Sequence, residues 1–321
     1  MSWFLFALIS TLGWGCADLF YKKGTDPGDR YSHLKIAVWV GLVMGICAIC
    51  LMPLSESRLS PEALLGNAIK YAPASLCYII SMVIGYAGLR YLELSIVSPV
   101  QNASGALSTL SMLIYFIFVG RIGSISEAFS TMDLVGTVLI VSGVVALALV
   151  EQRLALREGE LPASEKKYRL GALALLFPLL YCVFDTIGTA ADGIILDDTM
   201  GLGLGEIDVI ILYGLTFLLA GMVAWIFLYM KEGKPYNPFG KSERNKGIAA
   251  LCEEFGQIFY VYAMAAKPML TAPMVASYCI VSVILSRAFL KEKLNIPQIA
   301  CVIAVILGIV ILGISEGLAE V

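Results

Sequence analysis

Apolar residues in this chain are gathered into long runs separated by short polar stretches. Ten of these runs reach about 20 residues, the length that a helix needs to cross a bilayer core of about 30 Å. Because unpaired backbone groups are costly in lipid, we expect each run to form a helix rather than strands of a barrel. The runs cover residues 3–21, 34–52, 72–89, 96–119, 132–150, 170–190, 207–230, 248–266, 269–289 and 296–314.

Composition places the chain among membrane proteins. Hydrophobic residues make up 59% of its 321 residues and charged residues only 15%, against about 25% in an ordinary soluble domain. Mean hydropathy is +0.85. With a net charge of −3 and no basic stripe, nucleic acid is not expected as a partner. The sequence therefore predicts an all-α integral membrane protein whose surroundings are a lipid bilayer.

Histidine and cysteine usage restricts the chemistry. His33 is the single histidine, so a centre built from several histidines cannot form. All eight cysteines lie in apolar runs, which does not fit a secreted disulfide framework. Cys47 and Cys50 have C-x-x-C spacing, but they lie within a run, where small buried hydrophobic residues are the simpler interpretation. We expect no metal and no other cofactor.

Short motifs recur in the same order in the two halves of the chain. We therefore predict a first five-helix repeat over residues 1–150, a polar linker over 151–169 and a second repeat over 170–321. Because five is odd, the second repeat must enter the membrane the opposite way up. Glu292 is interpreted as structural, tying the turn between runs nine and ten. The recurring pairs are Asp18 and Asp185, Pro99 and Pro273, Glu127 and Glu292, and Gly143 and Gly308.

These motifs resemble those of ten-helix, EamA-type carriers of the drug/metabolite transporter superfamily. The resemblance covers nearly the whole chain, and it implies ten transmembrane helices in two inverted five-helix repeats, with alternating access to a central site. It does not fix the substrate. The motifs that carry it are Trp14-Gly15 with Lys22, Tyr86-Ala87 before Pro99, and the series Pro273, Glu292-Lys293, Gln298 and Gly308.

Basic residues predict the orientation. Of the 22 lysines and arginines, 18 lie in loops that follow odd-numbered runs. The positive-inside rule then places those loops in the cytoplasm, both termini outside the cell membrane, and the acidic stretch 192–208 facing out. The family resemblance implies the opposite, with both termini inside.

Ionisable side chains at membrane depth usually line a cavity. Glu253, Gln257 and Tyr260 follow i, i+4, i+7 spacing and share a helix face, while Glu254 lies about 100° around the helix. Asp185 shares a face with Tyr181. The carboxyl of Glu253 loses hydration and has the like charge of Glu254 beside it. Glu253 and Glu254 are therefore expected to share a proton at neutral pH.

Other polar positions leave two interpretations open. Asp18 follows Trp14 by four residues and shares its helix face, which favours a functional role. The alternative interpretation is that Asp18 forms an ion pair with Lys22 at the membrane edge. A polar stripe in run four either lines an aqueous path or joins helices by hydrogen bonds. The stripe consists of Gln101, Ser104, Ser108, Ser111 and Tyr115, with Asn102 beside it.

The predicted site combines these positions with aromatic residues on the inner stretches of the helices. Glu253, Glu254 and Asp185 are the predicted coupling residues. The predicted substrate-binding residues are Trp14, Tyr78, Gln101, Asn102, Tyr181, Asp185, Glu253, Gln257, Tyr260 and Tyr278.

We interpret the chain as a secondary transporter and not an enzyme. It has no phosphate-binding loop for ATP, so an ion gradient or the substrate's own gradient must drive it. Acids among aromatic rings favour an amine, amino acid or organic cation, with protons as a further partner. The alternatives are a scaffold or lipid translocator and, less favoured, an intramembrane enzyme. Gly41-x-x-x-Gly45 predicts close helix packing, with a homodimer face as an alternative.

Overall fold

The fold is a bundle of helices. The structure is a computed structural model that describes residues 2–55, 61–157, 171–197, 201–291 and 294–319, and every regular element in those ranges is helical. Glu292 and most of the linker 151–169 lie outside the described residues. The α-helices are α1 (Trp3–Gly24), α2 (Ser32–Leu51), α3 (Pro61–Gly88), α4 (Leu94–Asn102), α5 (Ser104–Phe118), α6 (Ile125–Ala128), α7 (Thr131–Arg157), α8 (Leu176–Ile195), α9 (Glu206–Glu232), α10 (Arg244–Ala266), α11 (Pro268–Ala276), α12 (Tyr278–Leu285) and α13 (Ile296–Ala319).

Eight helical segments in the described ranges are long and apolar enough to cross a membrane, where the sequence predicted ten. The other two predicted runs also form helices, but each departs from a plain span. The fourth run is divided at Ala103 into α4 and α5, beyond Pro99, which has no N–H to donate. The eighth run forms α10, which carries several charged residues, among them Lys246 and Glu253.

The two halves of the chain are packed into each other. The main helix pairs are α1 with α10, α2 with α9, α3 with α8, α5 with α11 and α7 with α13. Each pair joins a helix of residues 1–150 to a helix of residues 170–321. The hydrophobic core is therefore shared between the halves, and the space between them lies at the centre of the bundle.

Glycines allow the closest of these helix crossings. A Cβ on Gly41 would lie 2.4 Å from the Phe217 carbonyl oxygen, and one on Gly214 would lie 2.5 Å from that of Met44. Gly45 of the same motif faces Leu218. The predicted role of Gly41-x-x-x-Gly45 in close packing is confirmed, and the helix it packs against is α9 of the same chain.

Polar contacts connect the elements at both ends of the bundle. At the end that holds both termini, Trp3 Nε1 donates to Glu316 (2.5 Å), which also pairs with Lys267 (3.1 Å). At the opposite end, Lys35 bridges Asp29 (2.8 Å) and Glu232 (3.0 Å). These contacts fix the helix ends that enclose the bundle centre.

The acidic stretch 192–208, predicted to lie on the outer side of the membrane, includes two buried acids. Asp192 is 0% exposed and Asp208 is 2% exposed. Both lie on helices, Asp192 in the last turns of α8 and Asp208 in the first turn of α9, and both turn inward. The side of the membrane on which the stretch lies stays a prediction. Asp192 accepts a hydrogen bond from the Tyr71 hydroxyl (2.9 Å) and Asp208 one from Ser55 (2.5 Å).

We expect Gly41→Ala to destabilise the protein by about 1–3 kcal/mol, because overpacking at a backbone contact forces helices apart. Gly66 provides the control, since nothing lies within 4 Å of a Cβ there. Gly66→Ala should leave stability unchanged or raise it by up to about 1 kcal/mol through helix propensity. Thermal unfolding of purified protein in detergent measures both. Equal melting temperatures for the two variants would contradict the α2–α9 packing.

Asp29 makes the stability of the loop after α1 depend on pH. Burial by itself raises the pKa of Asp29, but hydrogen bonds from Lys35 and from the Tyr31 N–H outweigh burial, so this pKa is lowered. A lowered pKa in the folded state means that the stabilisation is present above the unfolded pKa of about 3.9 and is lost as pH falls through the folded value.

We expect Asp29→Asn to cost about 0.5–1 kcal/mol at pH 7, as is typical of a partly exposed ion pair. The difference from the unmodified protein should shrink as pH falls below about 4 and should vanish once pH lies below the lowered folded pKa, because Asp29 is then neutral in both states. A pH series of melting temperatures tests this. A difference that persists undiminished at the acidic end would show that Asp29 acts through packing alone.

Candidate functional site

A cavity lies in the middle of the bundle, between the two halves. Its volume is about 60 Å³, enough to hold water or a small ligand. All ten predicted substrate-binding residues line it: Trp14, Tyr78, Gln101, Asn102, Tyr181, Asp185, Glu253, Gln257, Tyr260 and Tyr278. Their role in binding remains a prediction, but the structure brings every one of them to the same place.

Three carboxyl groups face this cavity from three helices. Asp18 of α1 accepts hydrogen bonds from Ser98 (2.6 Å) and Ser282 (2.7 Å). Asp185 of α8 accepts one from Ser104 (2.6 Å). Glu253 of α10 is the third, and like the two aspartates it remains partly accessible because it faces the cavity. This arrangement gathers three acids, each able to carry a negative charge or a proton, in the centre of the bundle.

The two open interpretations of Asp18 are separated by its partners. Its carboxyl faces the cavity and is held by serines of α4 and α12. The Lys22 ammonium donates instead to the backbone carbonyls of Leu89 and Leu92, beyond the end of α3. Asp18 is therefore part of the cavity wall, and Lys22 ties α1 to the turn between α3 and α4.

Aromatic rings form much of the remaining wall. Trp14 lies 5.0 Å from Tyr260 and 5.8 Å from Tyr278 between ring centroids, and its Nε1 donates to the Glu253 carbonyl (3.1 Å). Glycine makes room for it, since a Cβ on Gly256 would lie 2.4 Å from the indole. Ring faces beside carboxylates attract cations by charge and by their quadrupole.

The second half of the chain offers an equivalent arrangement on the other side of the cavity. Tyr181 stands four residues before Asp185, as Trp14 stands four before Asp18. A Cβ on Gly85 of α3 would lie 2.7 Å from the Tyr181 ring. In both places an aromatic ring packs over a glycine of the paired helix and the aspartate follows one turn later.

Two buried amides face the same cavity with unused donors. Gln101 is 5% exposed and Gln257 is 2% exposed. The Nε2 atom of each has no hydrogen-bond partner among the described residues. Because a buried unpaired donor is costly, these two amides are suited to bind an acceptor on a ligand.

Glu254 points away from the cavity. It is 6% exposed, and its carboxyl faces Cys47 of α2. That Glu253 and Glu254 share one proton stays a prediction, and their side chains point about 100° apart around the helix. Glu254 stays a buried acid between α10 and α2.

The polar stripe of run four divides at the break between α4 and α5. Gln101 and Ser104 line the cavity, whereas Ser108 donates to the Ser104 carbonyl (2.8 Å) and Ser111 to the Leu107 carbonyl (2.8 Å). Tyr115 is 36% exposed on the outer surface. The start of the stripe thus lines the cavity. Ser108 and Ser111 bond to the backbone of their own helix, and Ser108 also contacts the Thr186 carbonyl of α8 (3.4 Å), which is the kind of bond that joins helices.

Sequence reasoning missed several cavity residues. Tyr21 follows Trp14 by seven positions and Asp18 by three, so its place on the same face was readable from spacing. Thr189 follows Asp185 by four positions, which places it on the face of Tyr181 and Asp185. Tyr86 and Tyr213 gave no such signal, and Tyr213 comes from α9, a helix that no polar stripe marked as central. Within the described residues, no group of three or more His, Cys, Asp or Glu side chains is placed to hold a metal ion.

Comparison with known proteins bears on the family and the fold of the chain. Residues 199–314 match the model of the EamA-like transporter family. The match confirms the resemblance to EamA-type carriers over this part of the chain. Together with eight membrane-length apolar helices among the described residues, it fits a multi-pass membrane protein of the transporter class. A solved structure described only as "Crystal structure of protein" is 13% identical and superposes with a TM-score of 0.57, covering 100% of this chain and 99% of that chain; it shows the fold alone. None of the curated proteins compared with the chain matches it.

Proposed function

We propose that this chain is a secondary transporter that carries small cationic metabolites across the membrane by alternating access. The observation that carries the proposal is the central cavity, where Asp18, Asp185 and Glu253 face one space among aromatic rings. No lysine or arginine is among the described residues that line it. A cation gains both the charge of the acids and the ring faces, whereas a phosphorylated substrate would meet repulsion.

The packing supports an inverted repeat of two five-helix units, residues 1–150 and 170–321. If α4 with α5 and α11 with α12 each count as one span, α10 is the eighth of ten. When each helix is replaced by its counterpart in the other unit, the pair α1–α10 becomes α3–α8. The same exchange leaves the pairs α2–α9, α5–α11 and α7–α13 unchanged. A two-fold axis in the membrane plane through the cavity would produce this pattern. Rocking of one unit against the other would expose the cavity to each side in turn.

The unpaired amides narrow the substrate class. A simple amine would satisfy the carboxylates but leave Gln101 Nε2 and Gln257 Nε2 without acceptors. A cation that also carries an acceptor, such as the carboxylate of an amino acid, would occupy both kinds of partner. We therefore favour amino acids and related zwitterions over purely apolar cations.

We propose that a proton and the substrate cation compete for Glu253. A carboxyl that faces a small cavity within the membrane gains from neutralisation by either one, so binding of the cation would release the proton. Transport driven by the substrate gradient alone, with Glu253 permanently neutral, is the alternative. Glu253→Gln separates the two, because glutamine keeps the size and removes the titration.

In reconstituted vesicles, we expect Glu253→Gln to abolish uptake driven by a pH gradient and to lower cation affinity at least tenfold. Glu254→Gln is the matched control, since this neighbouring acid points away from the cavity. It should keep both affinity and pH dependence. Thermal-shift titration with amines and amino acids gives affinity, because a bound ligand raises the melting temperature by mass action.

The proposal fails if no cation stabilises the unmodified protein, or if Glu254→Gln impairs binding as much as Glu253→Gln. Unchanged pH dependence in Glu253→Gln would leave a cation transporter but remove Glu253 as the coupling residue. Asp185 then becomes the next residue to test, through Asp185→Asn.

The charge bias predicts that both termini lie outside the cell. A reporter that matures only on the extracytoplasmic side should therefore be active when it is fused after Val321, and a reporter that matures only in the cytoplasm should be inactive there. A reporter fused after α5 lies at the same end of the bundle and should agree with it. Activity of both fusions in the cytoplasm would reverse the orientation and agree with the family norm.

A further inference from the structure

A second acidic position lies on α8 beyond the cavity. Asp192 follows Asp185 by seven residues, about 10 Å along the helix, with Thr189 between them on the same face. Its side chain is 0% exposed. Asp192 itself does not line the cavity, but Thr189 does.

The carboxyl of Asp192 is only half satisfied. Oδ1 accepts a hydrogen bond from the Tyr71 hydroxyl of α3 (2.9 Å), while Oδ2 has no partner among the residues that the structure describes. A fully buried carboxylate with an unpaired oxygen is costly and calls for a reason. A group that takes up a proton on the free oxygen provides one.

A chain of hydroxyls connects this carboxyl to the cavity. The Tyr78 hydroxyl lies beside Asp192, donates to Thr189 Oγ1 (3.1 Å) and lies 2.8 Å from the Tyr260 hydroxyl. Tyr78, Thr189 and Tyr260 all line the cavity. Hydroxyls can both donate and accept, so the chain offers a route for a proton between the cavity and Asp192.

The same contacts hold α3 against α8 and α10 at the end of the bundle where both termini lie. The bonds Tyr71–Asp192 and Tyr78–Thr189 cross from α3 to α8, and Tyr78–Tyr260 crosses from α3 to α10. Opening the cavity towards this end requires α3 to separate from these helices. An ionised Asp192 strengthens the Tyr71 bond because charge-assisted hydrogen bonds are about twice as strong as neutral ones.

We infer that Asp192 is a proton-binding latch, separate from the substrate cavity, that holds the bundle closed at the end of the termini when ionised and releases it when protonated. This inference rests on the proposed function, because alternating access requires the bundle to open at the end of the termini. It assigns control of that opening to a residue outside the binding site. The titratable groups that face Asp192 are Tyr71 and Tyr78 of α3, Asp185 of α8, Tyr213 of α9 and Tyr260 of α10. The Tyr71 hydroxyl is in direct contact with the Asp192 carboxyl.

Hydrogen–deuterium exchange tests the latch without any substrate. After correction for intrinsic exchange rates, the first turns of α3 and the last turns of α8 should exchange at least several-fold faster at pH 5.5 than at pH 8 in the full-length protein. Asp192→Asn carries no charge at either pH and should show fast exchange at both. Asp208→Asn is the matched control, since Asp208 is another buried acid at the same end but bonds to Ser55. It should keep the pH response.

Transport provides the second readout. Asp192→Asn should keep cation binding in thermal-shift titrations but lose accumulation driven by a pH gradient. Wild-type pH response in Asp192→Asn, or equal loss of it in Asp208→Asn, overturns the inference. If Asp192→Asn does not fold, Tyr71→Phe decides: it removes only the donated bond and should speed exchange at pH 8, and an unchanged pH response in it also overturns the latch.

The two proposals fail in different ways. If the unmodified protein binds and exchanges no cation, the proposed function is wrong. A flat exchange profile between pH 5.5 and pH 8 in a protein that does bind cations removes only the latch.

Discussion

Within a bilayer, each polar group of the bundle must find its hydrogen-bond partner inside the protein. This constraint is strongest for the central carboxyl groups. Asp18 and Asp185 meet it with hydrogen bonds from serine hydroxyls of α4, α5 and α12. Because those serines stand on helices of both halves, the acids can be satisfied only when the halves pack together. The cavity is thus a product of the same contacts that assemble the bundle.

Close helix crossings make this assembly compatible with a cavity. Glycines bring α2 against α9 and α1 against α10 at backbone distance, so those pairs leave no room between them. Around the centre the side chains are larger, and Gly85 and Gly256 make room for the Tyr181 and Trp14 rings that line the cavity. The space that remains is small and polar on one set of walls, which suits a ligand of few atoms with both a positive charge and an acceptor.

Charge is separated along the molecule. The described cavity wall carries acids without lysine or arginine, whereas most basic residues follow the odd-numbered apolar runs. At the end opposite the termini, Lys22 and Lys35 tie loops to helix ends through carbonyls and carboxylates. Basic loops at one end and acids at the centre are the distribution that the proposed orientation and the proposed cation substrate both require.

Helical class, approximate helix positions and the ten candidate cavity residues were predictable from the sequence alone, because apolar length and i, i+4, i+7 spacing are local properties of one helix. Glu253, Gln257 and Tyr260 share a face for that reason wherever α10 packs. Spacing cannot say what a face meets. Only the tertiary structure decided that Glu254 points to α2, that Asp18 bonds to serines while Lys22 bonds to carbonyls, and that Tyr213 joins the cavity. The same holds for Asp192, which looks like part of an acidic loop along the chain and is fully buried in the fold. Its burial depends on Tyr71, more than a hundred residues away, and such a partner is fixed by helix packing rather than by any local pattern.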